Sequence, residues 1–145
     1  KTTFENGRKN VALFFLASDG NSFHEETREI GVGATTTEEA KRTLAELANG
    51  PKGGGLAPTV PRDAQLLNLF IDSSGTAYVD FNRRLRDRLP GGAQEELYTV
   101  FSIVNTLASN FVQITRVQIL VEGAEISTLA GHVDTRMALS PQYVF

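Results

Sequence analysis

Residues 93–121 read AQEELYTVFSIVNTLASNFVQITRVQILV, and this stretch decides how the rest of the chain must fold. Its first part repeats apolar side chains at intervals of three and four, which is the spacing of one stripe along an α-helix. The stripe comprises Leu97, Val100, Phe101, Val104, Leu107, Ala108 and Phe111. The run Val117–Val121 follows after a short turn and is typical of a strand. Because so apolar a helix must be covered, the sequence predicts a helix from Ala93 to Asn110 packed on a β-sheet.

Three further elements are predicted upstream of this stretch. Val11–Leu16 is short and continuously apolar, as in a buried strand, and Phe23–Val32 is a more polar strand that pairs back on it near a sheet edge. A second helix begins where Thr36 and Glu39 have the spacing of a capping box. It ends at Asn49-Gly50-Pro51, because glycine accepts the left-handed cap and proline cannot continue a helix.

The middle of the chain predicts a β-hairpin. Leu66–Ile71 and Thr76–Phe81 have the composition of strands, and Asp72–Gly75 between them has turn chemistry. Asn82–Leu89 is expected to form a short helix, and Glu125–Leu129 a last short strand.

Strands grouped into hairpins and interrupted by two principal helices indicate an α+β fold. We expect a mixed or antiparallel sheet with both principal helices packed on one face. A single domain is predicted over residues 11–134. It is flanked by a polar tail or linker remnant at residues 1–10 and by an irregular C-terminal tail at residues 135–145.

Composition excludes several classes of function. The chain has 145 residues, a net charge of −3 and no cysteine, so disulfides, a thiol nucleophile and thiolate metal sites are excluded. No global basic field recruits nucleic acid or an anionic membrane. No apolar run approaches the roughly 18 residues of a membrane span. Because the chain starts at Lys1 without a methionine, we expect a fragment or mature form whose targeting segment is left out.

Six short motifs in a fixed order resemble the GerMN domain, a module of bacterial sporulation and spore germination proteins and of related lipoproteins. They are Thr27–Ile30, Leu47-x-x-Gly50-Pro51, Ala77–Phe81, Ser102–Leu107, Val117–Gly123 and the stretch Thr128-Leu129-x-Gly131-His132-Val133-Asp134. The resemblance covers residues 11–134. It implies a fold similar to the ring-building motifs of secretion-like systems.

The resemblance also implies a function. The family is typically extracytoplasmic, often lipid-anchored, and treated as non-catalytic. We therefore expect an interaction module of the bacterial cell envelope that needs no cofactor and assembles with other envelope proteins or with itself. It would meet the membrane only through an N-terminal anchor outside this sequence, and nucleic acid is not expected as a partner. The alternative is a domain that binds peptidoglycan or an anionic glycopolymer, and a hydrolase is the remote third reading.

One stretch is more basic than the resemblance to the family leads us to expect. It contains Arg83, Arg84, Arg86 and Arg88. Guanidinium groups can bind phospholipid head groups, anionic wall polymers or an acidic partner. The competing interpretation is a solvated helix face with Leu85 and Leu89 turned inward. Outward-facing aromatic residues would be another sign of a partner surface, but the sequence does not place Tyr78, Tyr98 or Tyr143.

His132 and Asp134 are two residues apart and would share one face of a strand. Such a pair could begin a metal or acid–base site. The pattern favours a structural role, in which the two side chains hydrogen-bond and fix the last hairpin. A metal site with His24 and Glu26 would require two remote segments to meet.

Other polar residues of the main helix are given structural roles. The chain lacks a Gly-x-Ser-x-Gly elbow, so Ser102 is interpreted as a small residue that permits close packing. Glu95 and Glu96 point about 100° apart on a helix, and they are expected to serve the helix dipole. Asn105 lies beside the apolar stripe and is predicted to hydrogen-bond the backbone of an adjacent strand or loop.

Overall fold

The computed structural model describes residues 7–89 and 91–144, and the α+β fold class is confirmed. In chain order the elements are β1 (Arg8–Ala17), β2 (Phe23–Gly31), α1 (Thr36–Asn49), β3 (Leu56–Ala57), β4 (Leu66–Ile71), β5 (Thr76–Phe81), α2 (Arg84–Asp87), α3 (Ala93–Asn110), β6 (Arg116–Val121) and β7 (Ala124–Glu125). The predicted main helix is confirmed at both ends as α3, and the strand after it begins one residue earlier than predicted. None of the helices in the described residues is both long and apolar enough to cross a bilayer.

The strands form two sheets, where the sequence indicated one. The first has the order β2-β1-β3 and is antiparallel throughout, and the second has the order β4-β5-β6-β7 with β5 and β6 parallel. Helix α3 contacts β1 of the first sheet and β6 of the second. Every residue from Tyr98 to Leu107 is buried, so the helix is covered on all sides and not along one stripe only. Its polar groups are paired, as Ser102 shows by donating to the carbonyl of Thr99 at 2.9 Å.

The start of α1 differs by one residue from the prediction. Thr35 is the N-cap, and its hydroxyl accepts the Glu38 N–H at 3.2 Å while the Glu38 carboxylate accepts the Ala34 N–H at 2.9 Å. Thr35 and Glu38 therefore cap the helix together, and the Glu38 carboxylate reaches one residue further back than in a standard capping box. Glu39 turns instead to β1, where it pairs with Lys9, whose side chain is 7% exposed. A buried ammonium requires a carboxylate, and this requirement sets the orientation of Glu39.

The segment predicted as an N-terminal tail is partly strand, because β1 begins at Arg8 and residues 8–10 pair with β2. Residues 1–6 lie outside the described residues. The C-terminal segment is irregular, as expected, but packed. Leu139 and Val117 exchange backbone hydrogen bonds of 2.8 and 2.9 Å, and buried Thr135 donates its hydroxyl to the carbonyl of Ile126.

The last strand, β7, has two residues, although Glu125–Leu129 was predicted as a strand. The chain leaves the sheet after Glu125 and turns toward the start of α3, where the backbone N–H groups of Leu129, His132 and Val133 bind the carboxylate of Glu96. That carboxylate, and not a partner strand, fixes the segment.

Candidate functional site

The basic cluster lies on and beside α2, with all four arginines exposed and Leu85 buried beneath them. Three of the four pair with carboxylates: Arg86 with Asp87 at 3.2 Å, Arg83 with Asp87 at 4.0 Å and Arg88 with Asp63 at 3.3 Å. Within the described residues only the Arg84 guanidinium of this cluster makes no ion pair or hydrogen bond. The two nearby aspartates thus reduce the positive potential that this surface can offer to an anionic polymer.

His132 and Asp134 lie in a loop, both exposed, and they do not bind each other. Asp134 accepts hydrogen bonds of 3.0 Å from the backbone N–H and Nε of Arg136 and one of 2.9 Å from its Nη2. The ring Nε2 of His132 lies 3.4 Å from the carbonyl of Gly91. The predicted contact between the two side chains is therefore wrong, because strand alternation does not apply in a loop and the arginine fork satisfies the carboxylate.

Asp134 should titrate far below an ordinary aspartate. Hydrogen bonds from the Arg136 side chain and backbone lower the pKa of Asp134 from 3.8 to about 2. A depressed folded-state pKa favours the charged form, so its stabilising effect is present above pH 3.8 and is lost as the pH falls toward 2. We expect Arg136→Leu to raise the carboxyl titration midpoint measured by ¹³C NMR, and His132→Ala to leave it unchanged. A midpoint that follows His132 instead would reinstate the His132–Asp134 pair.

Glu26, a member of the conceivable four-residue metal site, is engaged elsewhere. Burial raises the pKa of Glu26, but hydrogen bonds from the Gly53 N–H, Arg28 and the Lys52 N–H outweigh it, and the pKa lies below its usual range. Arg28, with its side chain 5% exposed, also binds Glu46 at 2.9 Å. In the described parts of the chain no three His, Asp or Glu side chains converge in a way that could hold a metal ion.

Glu96 is the buried polar residue that sequence reasoning missed. Its side chain is fully buried, and it accepts the N–H groups of Leu129 at 3.0 Å, His132 at 2.9 Å and Val133 at 3.2 Å. The first turn of α3 also favours its negative charge, as expected, but fixing the loop is its larger role. The signal was available in the spacing, since Glu96 lies four residues before Val100 and hence on the buried stripe.

Asn105 has the predicted structural role. It is fully buried, its Nδ2 donates to the carbonyl of Gln142 at 2.7 Å, and its Oδ1 accepts the Gln142 N–H at 2.9 Å. One side chain therefore holds the C-terminal segment against α3.

Removing this amide should loosen the C-terminal segment. We expect Asn105→Ala to lower the free energy of unfolding by about 1–2 kcal/mol, because two hydrogen bonds are lost while the exposed Gln142 backbone can turn to water. Urea denaturation measures the stability change, and hydrogen exchange should accelerate at Gln142. Ser109→Ala, exposed on the same helix, is the matched control. Unchanged exchange at Gln142 would mean that other contacts hold the segment.

Among the described residues, the aromatic side chain with the highest exposed fraction lies on β4. Phe70 is 61% exposed and Leu67 is 51% exposed, and the Phe70 ring stacks on Tyr78 of β5 with ring centroids 6.4 Å apart. β4 reads LLNLFI, has no charged residue, and lies at the edge of the second sheet with β5 as its only neighbour among the described strands. This surface combines exposed apolar side chains with an open strand edge.

Comparisons with known proteins agree on one family and one fold. The sequence model of the family described as Germane, sporulation and spore germination, matches residues 12–127. A crystal structure of a candidate lipoprotein from Clostridium perfringens is 23% identical with a TM-score of 0.67, over 97% of this chain and 92% of that one. The first GerMN domain of the sporulation protein GerM from Bacillus subtilis is 21% identical with a TM-score of 0.70, over 91% and 97%.

A structure of the tandem GerMN domains of the same Bacillus subtilis protein has a TM-score of 0.70 at 18% identity, and the match covers 92% of this chain but 46% of that one. The chain thus spans about half of the tandem structure. At these identities the likeness shows a shared fold. No curated protein matches the chain.

Proposed function

The chain belongs to the Germane family of sporulation and spore germination domains, and on this basis we propose that it is a non-catalytic protein-interaction module of the bacterial cell envelope. The observation that carries the proposal is the exposed aromatic surface on β4, formed by Phe70, which is 61% exposed and stacks on Tyr78 of β5. Exposed aromatic side chains that lie together are characteristic of protein interfaces.

The edge of β4 supports the same conclusion. Natural edge strands are usually protected by charged residues, proline or a covering element, since free backbone groups recruit other strands. β4 has neither charge nor proline, although a bulge between Leu66 and Asn68 interrupts its pairing with β5. An unprotected edge of this kind is expected where a partner protein binds to the strand.

Two kinds of observation favour binding over catalysis and the envelope over other locations. Glu26 and Asp134, the carboxylates of the conceivable metal or acid–base site, are bound by backbone and arginine donors, and this leaves them poorly suited to proton transfer. The similar structures come from a candidate lipoprotein and from a sporulation protein, and these descriptions support an envelope location.

Photo-crosslinking in living cells tests the proposal. A benzophenone amino acid at position 70 of the full-length protein should give a discrete, protease-sensitive adduct, whereas the same group at position 112, where Val112 is 94% exposed but isolated, should not. A smear that a muramidase removes would replace the proposal with the polymer-binding alternative. The absence of any adduct from position 70, with normal protein levels, would overturn it.

A further inference from the structure

A groove lies between helix α1 and the start of β4, and Phe81 of β5 also lines it. Its α1 side is formed by Lys41, Leu44 and Ala48, and its strand side by Ala64, Leu66 and Leu67. The floor is apolar, because Leu44 and Ala64 are buried there. The groove and the exposed Phe70 are reached from opposite faces of the same edge strand, so a segment bound to this edge would lie beside both.

The charges of the groove have one sign. Lys41 and Arg62 are its charged lining residues, and no acidic residue lines it. Both cations are exposed, and neither side chain makes an ion pair or hydrogen bond within the described residues. Several other cations of this acidic chain meet carboxylates, as Arg8 meets Glu29 and Arg136 meets Asp134. The groove therefore complements a ligand that is both apolar and anionic.

The backbone of β4 is available at this edge. The Leu69 N–H donates to the side-chain oxygen of its own neighbour Asn68, at 2.9 Å, and not to another strand. An incoming strand could displace this local hydrogen bond and continue the sheet, which is the β-augmentation mode of peptide recognition. Backbone pairing would supply affinity, and the groove beside α1 would select side chains.

The length of the groove along α1 limits the length of the ligand. Lys41 lies at one end of the α1 residues that line the groove, and Arg62 lies at the other, because it shares a neighbouring cavity of about 300 Å³ with Ala48 and Asn49. From residue 41 to residue 49 the helix rises about 12 Å. Alternate residues of a strand share a face, and four residues of strand span about 13 Å. An acidic residue, an apolar residue and a second acidic residue at positions i, i+2 and i+4 would match this length.

We propose that β4 and α1 form a docking groove for an extended segment of a partner protein that has the pattern acidic-x-apolar-x-acidic. The segment pairs with the free edge of β4, its central apolar side chain enters the groove, and its carboxylates bind Lys41 and Arg62. This inference rests on the proposed function, because it names the chemistry of the partner at the same edge strand.

Peptide binding followed by NMR tests the groove. The probe is the capped heptapeptide Thr-Glu-Thr-Val-Thr-Glu-Thr, and the charge-reversed control is Thr-Lys-Thr-Val-Thr-Lys-Thr. We expect the acidic peptide to shift the amide signals of Asn68, Leu69 and Phe70, and Lys41→Glu with Arg62→Glu to weaken binding at least tenfold. The matched double variant Lys52→Glu with Arg84→Glu changes the net charge equally at two other exposed positions, and it should bind within twofold of wild type.

Three outcomes would overturn the inference: equal binding of the basic peptide, equal weakening by both double variants, or no shift in β4 at millimolar acidic peptide. A protein adduct from position 70 together with any of these outcomes would leave the proposed function standing and reject this partner chemistry. Intact peptide binding without a protein adduct from position 70 would keep the docking groove and reject the protein-interaction role in the cell.

Discussion

Val104→Asp is expected to abolish the folded state. Val104 is fully buried on α3, the helix that contacts both sheets. Its replacement would place a carboxylate in the core without a partner, which costs about 5 kcal/mol or more, and this matches or exceeds the stability of a domain at the lower end of the usual range of about 5–15 kcal/mol. Circular dichroism and the dispersion of the amide NMR spectrum should show loss of cooperative unfolding.

Arg84→Glu is the control for this experiment. Arg84 is exposed and makes no side-chain ion pair within the described residues, so its reversal should change the free energy of unfolding by no more than about 0.5 kcal/mol. If the Val104→Asp protein melted like wild type, α3 could not be the centre of the core.

Local signals were sufficient to predict most elements. The bounds of α3 follow from its 3.6-residue apolar period, and the end of α1 follows from Gly50, which has a φ of +86° that glycine adopts without strain. The hairpin of β4 and β5 was likewise predicted from a polar turn between two apolar runs. Such features depend only on residues that are close in sequence, so they can be predicted without knowledge of the fold.

The features that could not be predicted depend on contacts between remote residues. Two sheets are needed because α3 is buried on every side. Its sequence shows this only in part, since polar Thr99 and Thr106 are also buried. Their hydroxyls are satisfied by the backbone of Thr59 and of Phe14. The true partner of Glu39 is Lys9, thirty residues away. A single sequence contains no record of which distant polar groups will meet.

The candidate interaction site was missed for a related reason. Leu69 and Phe70 are adjacent apolar residues, and alternation alone does not say which of them faces the core. The structure buries Leu69 and exposes Phe70, because α1 packs on β4 from one side and the other side is left open. The cluster that the sequence did indicate, Arg83 to Arg88, turns out to be largely paired.

Glu96→Ala is expected to have the second-largest effect, a loss of about 3–5 kcal/mol in the free energy of unfolding. The carboxylate accepts three backbone N–H groups, from Leu129, His132 and Val133, and all three lose their acceptor together. A buried donor without a partner costs about 1–3 kcal/mol, and water entering the vacated space recovers part of that. Urea denaturation measures the loss, and hydrogen exchange should accelerate at these three amides.

Two further variants separate the carboxylate from its location on the helix. Glu95→Ala removes the exposed neighbour in the same turn of α3, and it should cost no more than about 0.5 kcal/mol if the helix dipole is the only interaction lost. Glu96→Gln keeps one acceptor oxygen but directs an amide donor at N–H groups, so its cost should lie between the other two. Equal effects of Glu95→Ala and Glu96→Ala would mean that both residues act only through the dipole, and the loop at residues 129–133 would then owe its shape to packing of side chains such as buried Leu129.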